Sequence, residues 1–524
     1  MSPDRTATTT NQQAHTGHAP PNQPHPAKAP PHAESGSQRT LLKRVVSYAP
    51  SSLLPAALTL ATSMIFTRVF SAAAFGVYSL FLIVAIPTKL VFTTWIAQAL
   101  GKFVPQEQTA DGLQQAKEAT FLAIGIAFCC ESFLGLAAVA SSGSLLSDGQ
   151  RSYLAPMIAF VVISSVFELL ATVLAAEHRA KEYTTFRVTD SVLTFLLRLL
   201  MVSALFRMGL TLMFWSIAAS NGLLLPLLWI RAGLPRPGRL VALLRSPLIR
   251  GTVRAFAKFG VPMTVWFLSG ILLDVGDRFV INYFMGPAPV GIYDASYRLI
   301  SGTAVLMVMP VTITLHPYLM SISGSGDAQQ IGKVIGSIVE NMVLIGIVAV
   351  GVTALFSRDI ANLLLGAQFR EGHVVMPIVL AGVLFSNVGL FAHKPFEIIG
   401  RTRPMVTFSL VSAVANVALN IVLVPIFGYL GSAYATLLSY VLYTVCVGFG
   451  GRSVFPWRID LRRFAGYTAV TVTGLTAISL LREALHALPT WLSLLVAVVA
   501  SGLLSAWCLV GLVRGKSVIQ AFAR

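Results

Sequence analysis

A succession of about fourteen apolar stretches, each around twenty residues long and parted by short connections, limits this chain to very few architectures. They fall near 46–69, 76–100, 119–140, 153–175, 187–207, 210–230, 258–283, 290–316, 334–356, 373–395, 404–426, 428–449, 464–482 and 490–513. As a helix, a stretch of that length covers a hydrocarbon layer of roughly 30 Å. Inside such a layer each backbone N–H and C=O must be satisfied without water, so the pattern calls for a bundle of helices. Hydrophobic residues make up 55% of the 524 and charged ones only 11%, too few to cover a soluble domain of this size. The fold class that follows is an all-α integral membrane protein.

The formal net charge of +17 would point to nucleic acid in a soluble chain. Here the basic residues collect in alternate connections, which argues for topology and against a nucleic-acid partner. With the amino terminus in the cytoplasm, Arg39, Lys43, Arg44, Lys102, Lys117, Arg179, Lys181, Arg401, Arg403 and Arg452 share the inner side. The opposite connections are poor in Lys and Arg, with Arg151, Arg358, Arg370 and Arg482 as the main exceptions. An even number of spans returns the carboxyl terminus to the cytoplasm, and the expected location is a bacterial inner (plasma) membrane. The inner connection from Arg231 to Lys258 holds seven basic residues and no acid, and its Leu and Val positions allow a short amphipathic helix on anionic lipid. Residues 1–40, rich in Pro, Thr, Gln and His, read as a disordered tail. Cys129, Cys130, Cys446 and Cys508 lie in apolar stretches without ligand spacing, so they read as reduced packing residues, and no metal or cofactor is expected.

The two sides of the basic connection repeat one another. The turn AAAFGVYSLF before the second stretch answers PAPVGIYDAS before the eighth, setting Gly76 and Tyr78 opposite Gly291 and Tyr293. Pro50 likewise answers Pro262, and Met208-Gly209 answers Phe427-Gly428, at an offset near 212–219 residues. Six spans is an even number, so the halves have the same orientation and substrate is expected between them. The implied organisation is a tail (1–40), a first lobe of helices one to six (41–230), a basic linker (231–257), a second lobe of helices seven to twelve (258–450) and an appended helix pair with the carboxyl terminus (451–524).

Residues 258–317 carry Asp274, Asp277, Arg278, Asp294 and Arg298 within two apolar stretches joined by a tight turn. An unpaired charge at the bilayer centre costs about 2.5–3.5 kcal/mol, so these groups need partners, water or a substrate. Asp274 with Arg278, and Asp294 with Arg298, stand four apart with the acid first and can pair within their helices. Alternatively they line a polar cavity, where Lys89, Arg278 and Arg298, with Arg198 of the fifth stretch, would form a cationic surface suited to phosphate. Arg198 could instead pair with Glu168. Glu131, Asp274, Asp277 and Asp294 are candidates for coupling to an ion, and Asn416 and Asn420 read as helix-packing hydrogen bonds. Prolines 50, 55, 87, 156, 262, 310, 377 and 425 predict kinked or partly unwound helices. No hydrolase, kinase or metal motif is present, so transport without an enzymatic step is the default and no catalytic residue is assigned.

The segments SYAPSSLLPAALTLATSMIFTRVFSAAAFGVYSL, LLDVGDRFVINYFMGPAPVGIYDASYRL, LLLGAQFREGHVVMPIVLAGVLF and IIGRTRPMVTFSLVSAVANVALNIVLVPIFGYLGSAYATLLSY, in this order, cover most of residues 41–450. In them the chain resembles the polysaccharide transporter, or O-antigen flippase-like, branch of the multidrug/oligosaccharidyl-lipid/polysaccharide flippase superfamily. The resemblance implies twin six-helix lobes with alternating access. It implies as substrate an undecaprenyl-diphosphate-linked oligosaccharide, moved across the membrane for exopolysaccharide, capsule or O-antigen assembly beside polymerase machinery and membrane lipid. It also implies that cavity cations, here Lys89, Arg278, Arg298 and Arg198, attract the anionic head group. The long amino-terminal tail departs from the family's usual short start. Three rivals stand beside this reading: a drug/cation antiporter of the same superfamily, a lipid-linked peptidoglycan precursor flippase, and a multispanning glycosyltransferase or ligase.

Overall fold

The structure is a computed structural model that describes residues 50–484, apart from 108, 205, 324–326, 402 and 458–460, together with residue 492. The tail, the fourteenth apolar stretch and Cys508 lie outside the described residues. Every other apolar stretch coincides with a helix. The first half comprises α1 (Pro50–Val69), α2 (Ala72–Phe103), α3 (Ala110–Leu145), α4 (Leu154–Ala176), α5 (Ala180–Ala204) and α6 (Leu212–Ala232). The second comprises α7 (Pro247–Val275), α8 (Asp277–Met285), α9 (Pro287–Ser323), α10 (Ala328–Leu364), α11 (Met376–Ala392), α12 (Arg403–Phe427) and α13 (Tyr429–Arg452), and α14 (Leu461–Ala484) follows. Nine helical stretches among the described residues are long and apolar enough to cross a membrane by length and composition alone. α5 falls short because Lys181, Glu182, Arg187, Asp190 and Arg198 dilute its apolar face.

Short polar side chains set the helix starts. The Ser71, Thr109 and Ser246 hydroxyls accept from backbone amides of the first turns of α2, α3 and α7, and the Asp327 carboxylate does so for α10. The prolines do less than expected, since Pro55, Pro87, Pro262 and Pro425 all sit within continuous helices. The seventh stretch breaks instead at Gly276, between α7 and α8. A Cβ there would lie 2.5 Å from the Leu272 carbonyl oxygen, so a residue with a side chain could not tighten the backbone in this way. The cysteines also differ from expectation, because Cys129 and Cys130 are exposed on α3 rather than packed.

Two like-oriented six-span lobes emerge. Helices beginning at Ala72, Ala110, Leu154, Ala180 and Leu212 recur as helices beginning at Pro287, Ala328, Met376, Arg403 and Tyr429. Gly209 (φ 60°, ψ −155°) and Gly428 (φ 62°, ψ −148°) share one backbone conformation at matching turns. Gly76 and Gly291 approach each other directly, and the contact is reciprocal. A Cβ on Gly76 would stand 1.8 Å from the Pro287 carbonyl oxygen, and one on Gly291 would stand 2.0 Å from that of Ala72. Reciprocity of this kind marks a pseudo-two-fold axis between the halves.

Two apolar cores hold the assembly. One joins both lobes on the face poor in basic residues, where Phe75 of α2 meets Phe369 edge-on at 5.6 Å. There the α1–α2 turn is gripped by the last turn of α10 and the segment that follows it. Arg68 Nη2 donates to the Leu363 carbonyl at 2.5 Å, and the Ala72 amide donates to Gln368 Oε1 at 3.0 Å. The other core lies on the basic face, where Leu243, Ile249 and Phe256 pack against α2, α3, α4 and α6. The basic connection thus buries Leu243 of its short helix, Leu240–Arg245, while Val241 and Leu244 stay exposed.

Candidate functional site

α8 and α9 run antiparallel from the turn at Gly286 (φ 81°), a conformation that favours glycine, and this brings Asp277 and Arg278 level with Asp294. Arg278 is 1% exposed. Its Nη1 donates to Asp277 Oδ1 at 2.6 Å and to the Asp274 carbonyl at 2.5 Å, and its Nε donates to Asp294 Oδ1 at 3.3 Å. The guanidinium also lies 4.2 Å above the Tyr297 ring. Arg298 Nε donates to the other Asp294 oxygen at 2.5 Å, and its side chain remains 27% exposed. Asp294 therefore bridges a buried arginine and a half-buried one.

Two expectations change here. The Asp294–Arg298 pair forms across one helical turn, but Asp274 and Arg278 do not pair through the carboxylate. That carboxylate accepts from the hydroxyls of Tyr297 and Tyr440 instead. Arg278 pairs with the carboxylates of Asp277 and, on α9, Asp294. Arg278, expected to meet a head group, is thereby enclosed by its own acids and presents no free face. Asp277 is saturated too, accepting from Tyr293 at 2.6 Å and Thr436 at 3.3 Å. Thr436 in turn accepts from Asn416, which joins Asn420 and Ser432 in a buried chain, the helix-packing role expected of those asparagines.

The first lobe is built differently. Lys89 of α2 lies 3.7 Å from Glu168 of α4, which also accepts from Arg187 of α5 at 2.9 Å. Arg198 does not reach Glu168, because two closer cations occupy that carboxylate. Its Nε donates to Ser216 at 3.1 Å, and no carboxylate among the described residues lies within ion-pair distance of it. Glu131 is 3% exposed, and one oxygen accepts from Ser165 at 2.6 Å. The other finds no hydrogen-bond partner among the described residues. Asp190, passed over in the sequence, accepts from Ser220 and Asn221 at 2.7 and 2.6 Å.

Of the four candidate cations, Arg198 and Arg298 are the least covered by acids, Arg198 on α5 of the first lobe with Ser216 as its partner and Arg298 on α9 of the second with a share of Asp294. Lys89 stands apart, in its own cluster with Glu168. The phenols of Tyr293, Tyr297 and Tyr440, which fix the acids, were missed in the sequence. The available signal was the placing of Tyr293 and Tyr297 on either side of Asp294 in a stretch otherwise apolar.

A family model described as polysaccharide biosynthesis protein matches residues 41–323. The probable low-salt glycan biosynthesis flippase Agl15 of Haloferax volcanii is 25% identical over 190 residues, or 36% of this chain and 39% of that protein. The match thus spans well under half of the relative. Among solved structures, the lipid II flippase MurJ in an inward closed conformation superposes with a TM-score of 0.61 at 12% identity, covering 89% of this chain and all of that one. An inward-facing multidrug resistance MATE family transporter of the MOP superfamily gives the same score and identity over 78% of this chain and 97% of its own. At such identities the likeness is one of fold.

Proposed function

Because this chain belongs to the polysaccharide biosynthesis protein family, we propose that it is a flippase for an oligosaccharide carried on a polyprenyl diphosphate, undecaprenyl diphosphate in a bacterial inner membrane. The observation that carries this reading is that Arg198 and Arg298, one in each lobe, are the candidate cations least covered by carboxylates: Arg198 has none within ion-pair distance among the described residues, and Arg298 only shares Asp294 with Arg278. Positive charge left so poorly compensated in an apolar setting calls for an anion. A diphosphate between them would supply the missing counter-charge and accept bidentate hydrogen bonds from both planes. Because the two arginines belong to different lobes, a rocking motion of one lobe against the other would assemble and dismantle the site, passing the head group from one face to the other. The glycan would serve exopolysaccharide, capsule or O-antigen assembly, with polymerase machinery as the partner that takes the product. Glu131, buried with one oxygen unpartnered, is the acid best placed to couple the cycle to a cation gradient.

The test is flipping of a fluorescent polyprenyl-diphosphate sugar by the full chain in liposomes. Arg198→Ala combined with Arg298→Ala should slow flipping by at least about tenfold while the protein still inserts and elutes as wild type. Flipping at the wild-type rate by the double variant would overturn the head-group assignment.

A further inference from the structure

A cavity of about 470 Å³ lies inside the second lobe among α7, α9, α11, α12 and α13, lined by Trp266, Phe267, Asp274, Asn387, Tyr440 and Tyr443 among others. Two features set it apart from the site between the lobes. The first is charge. The buried cluster of α7–α9 holds three carboxylates, Asp274, Asp277 and Asp294, against two guanidiniums, Arg278 and Arg298. Both arginines are taken up by Asp277 and Asp294, so the uncompensated negative charge rests on Asp274, which is the acid that faces the cavity. Its carboxylate receives the hydroxyls of Tyr297 and Tyr440, neutral donors that bring no compensating charge. Other basic groups nearby are committed elsewhere. His393, which also lines the cavity, engages the Tyr443 hydroxyl at 2.9 Å and lies 3.9 Å from Glu397. Lys394 donates to Glu397 at 2.5 Å.

The second feature is the wall. The rings of Trp266, Phe267, Tyr440 and Tyr443 surround the cavity, and aromatic faces attract a soft, weakly hydrated cation. The volume falls in the range of pockets for organic molecules, roughly 300–1,000 Å³, and well exceeds what a single bare ion fills. We propose that this cavity binds a lipophilic organic cation, an ammonium or phosphonium with apolar substituents, its positive centre against Asp274 and its substituents against the aromatic wall. The site takes the sign opposite to that proposed for Arg198 and Arg298.

The experiment measures tetraphenylphosphonium binding to the full chain in nanodiscs by quenching of tryptophan fluorescence. Triphenylphosphine oxide serves as a neutral probe of similar shape, and sodium against choline chloride as competitors. Saturable binding of the cation and none of the neutral probe is expected, and Asp274→Asn should weaken it by about tenfold or more. Should Asp274→Asn fail to fold, Gly270→Leu decides the matter. Gly270 lines the same cavity, and a Cβ there meets no atom within 4 Å, so leucine is expected to take up cavity space and abolish binding. Wild-type affinity in a folded Asp274→Asn or Gly270→Leu protein would overturn the proposal, as would equal binding of the neutral probe. Displacement by sodium but not choline would also overturn it, in favour of a small inorganic ion. The head-group reading depends on Arg198 and Arg298 in the flipping assay, so either proposal can fail without the other.

Discussion

The two lobes share a backbone plan and differ in where they keep their charges. Tyr78 and Tyr293 occupy matching positions next to the Gly76–Gly291 contact. In the same register the first lobe has Ser79 and Ile83 where the second has Asp294 and Arg298. The second lobe's charges are more deeply buried and, Asp274 apart, paired with one another, with Arg278 and Asp294 each 1% exposed. In the first lobe, Lys89, Arg187 and Glu168 keep side-chain exposures of 18%, 29% and 34%. The difference teaches that duplication supplies the scaffold and the break in its symmetry supplies the chemistry. A site built on identical residues from both lobes would be equally polar on both sides. Here the second lobe holds a buried, interlocked charge cluster and the first a looser, more exposed one.

Removing the centre of the saturated cluster should produce the largest effect. Arg278→Ala leaves Asp277 and Asp294 buried without their shared cation, which costs about 3–5 kcal/mol. The expected outcome is loss of the folded, detergent-stable protein in thermal melts followed by size-exclusion chromatography. A variant that melts like the wild type would show that the cluster is not the structural keystone of the second lobe. Next in size is Gly76→Val, or equally Gly291→Val. Either side chain would drive into a backbone carbonyl of the opposite lobe, and overpacking of this kind costs about 1–3 kcal/mol. The strain is released by separating the lobes on the face of the α1–α2 turn, so a cysteine reporter at Gln368 should become more reactive. If only one of the two valines has this effect, the reciprocity of the contact is the weaker description.

Much of this was legible in the sequence, for identifiable reasons. Helix placement follows from apolar length, which a membrane enforces strictly, so the stretches through the thirteenth met their helices. The repeat was legible because glycine has a steric job at Gly76, Gly209, Gly291 and Gly428 that no other residue performs. Pairing was only half legible. The Asp294–Arg298 pair depends on helical spacing alone, whereas Arg278 takes its neighbour Asp277 and also Asp294 of α9, and the second of these depends on α9 lying alongside, which is not local. The same holds for Asp274, whose phenol donors come from α9 and α13, 23 and 166 residues away in sequence. Charge count was visible in the chain, but which acid is left over emerges only when the arginines have chosen.

The smallest effect should come from the looser cluster. In Lys89→Met, Glu168 keeps Arg187 at 2.9 Å, so a cation is removed from a carboxylate that still has one. The methionine follows much the same path as the lysine stem, and little packing is lost. Stability should therefore fall by no more than about 1 kcal/mol, in line with partly exposed ion pairs, and thermal melts would register a shift of a few degrees at most. On the proposed head-group reading flipping need not be so tolerant, because Lys89 is one of the few cations of the first lobe's spans. A melt unchanged and a flipping rate reduced would assign Lys89 to attraction of the head group. A destabilisation as large as that of Arg278→Ala would instead mean that the first lobe is as tightly saturated as the second, and the contrast between them would collapse.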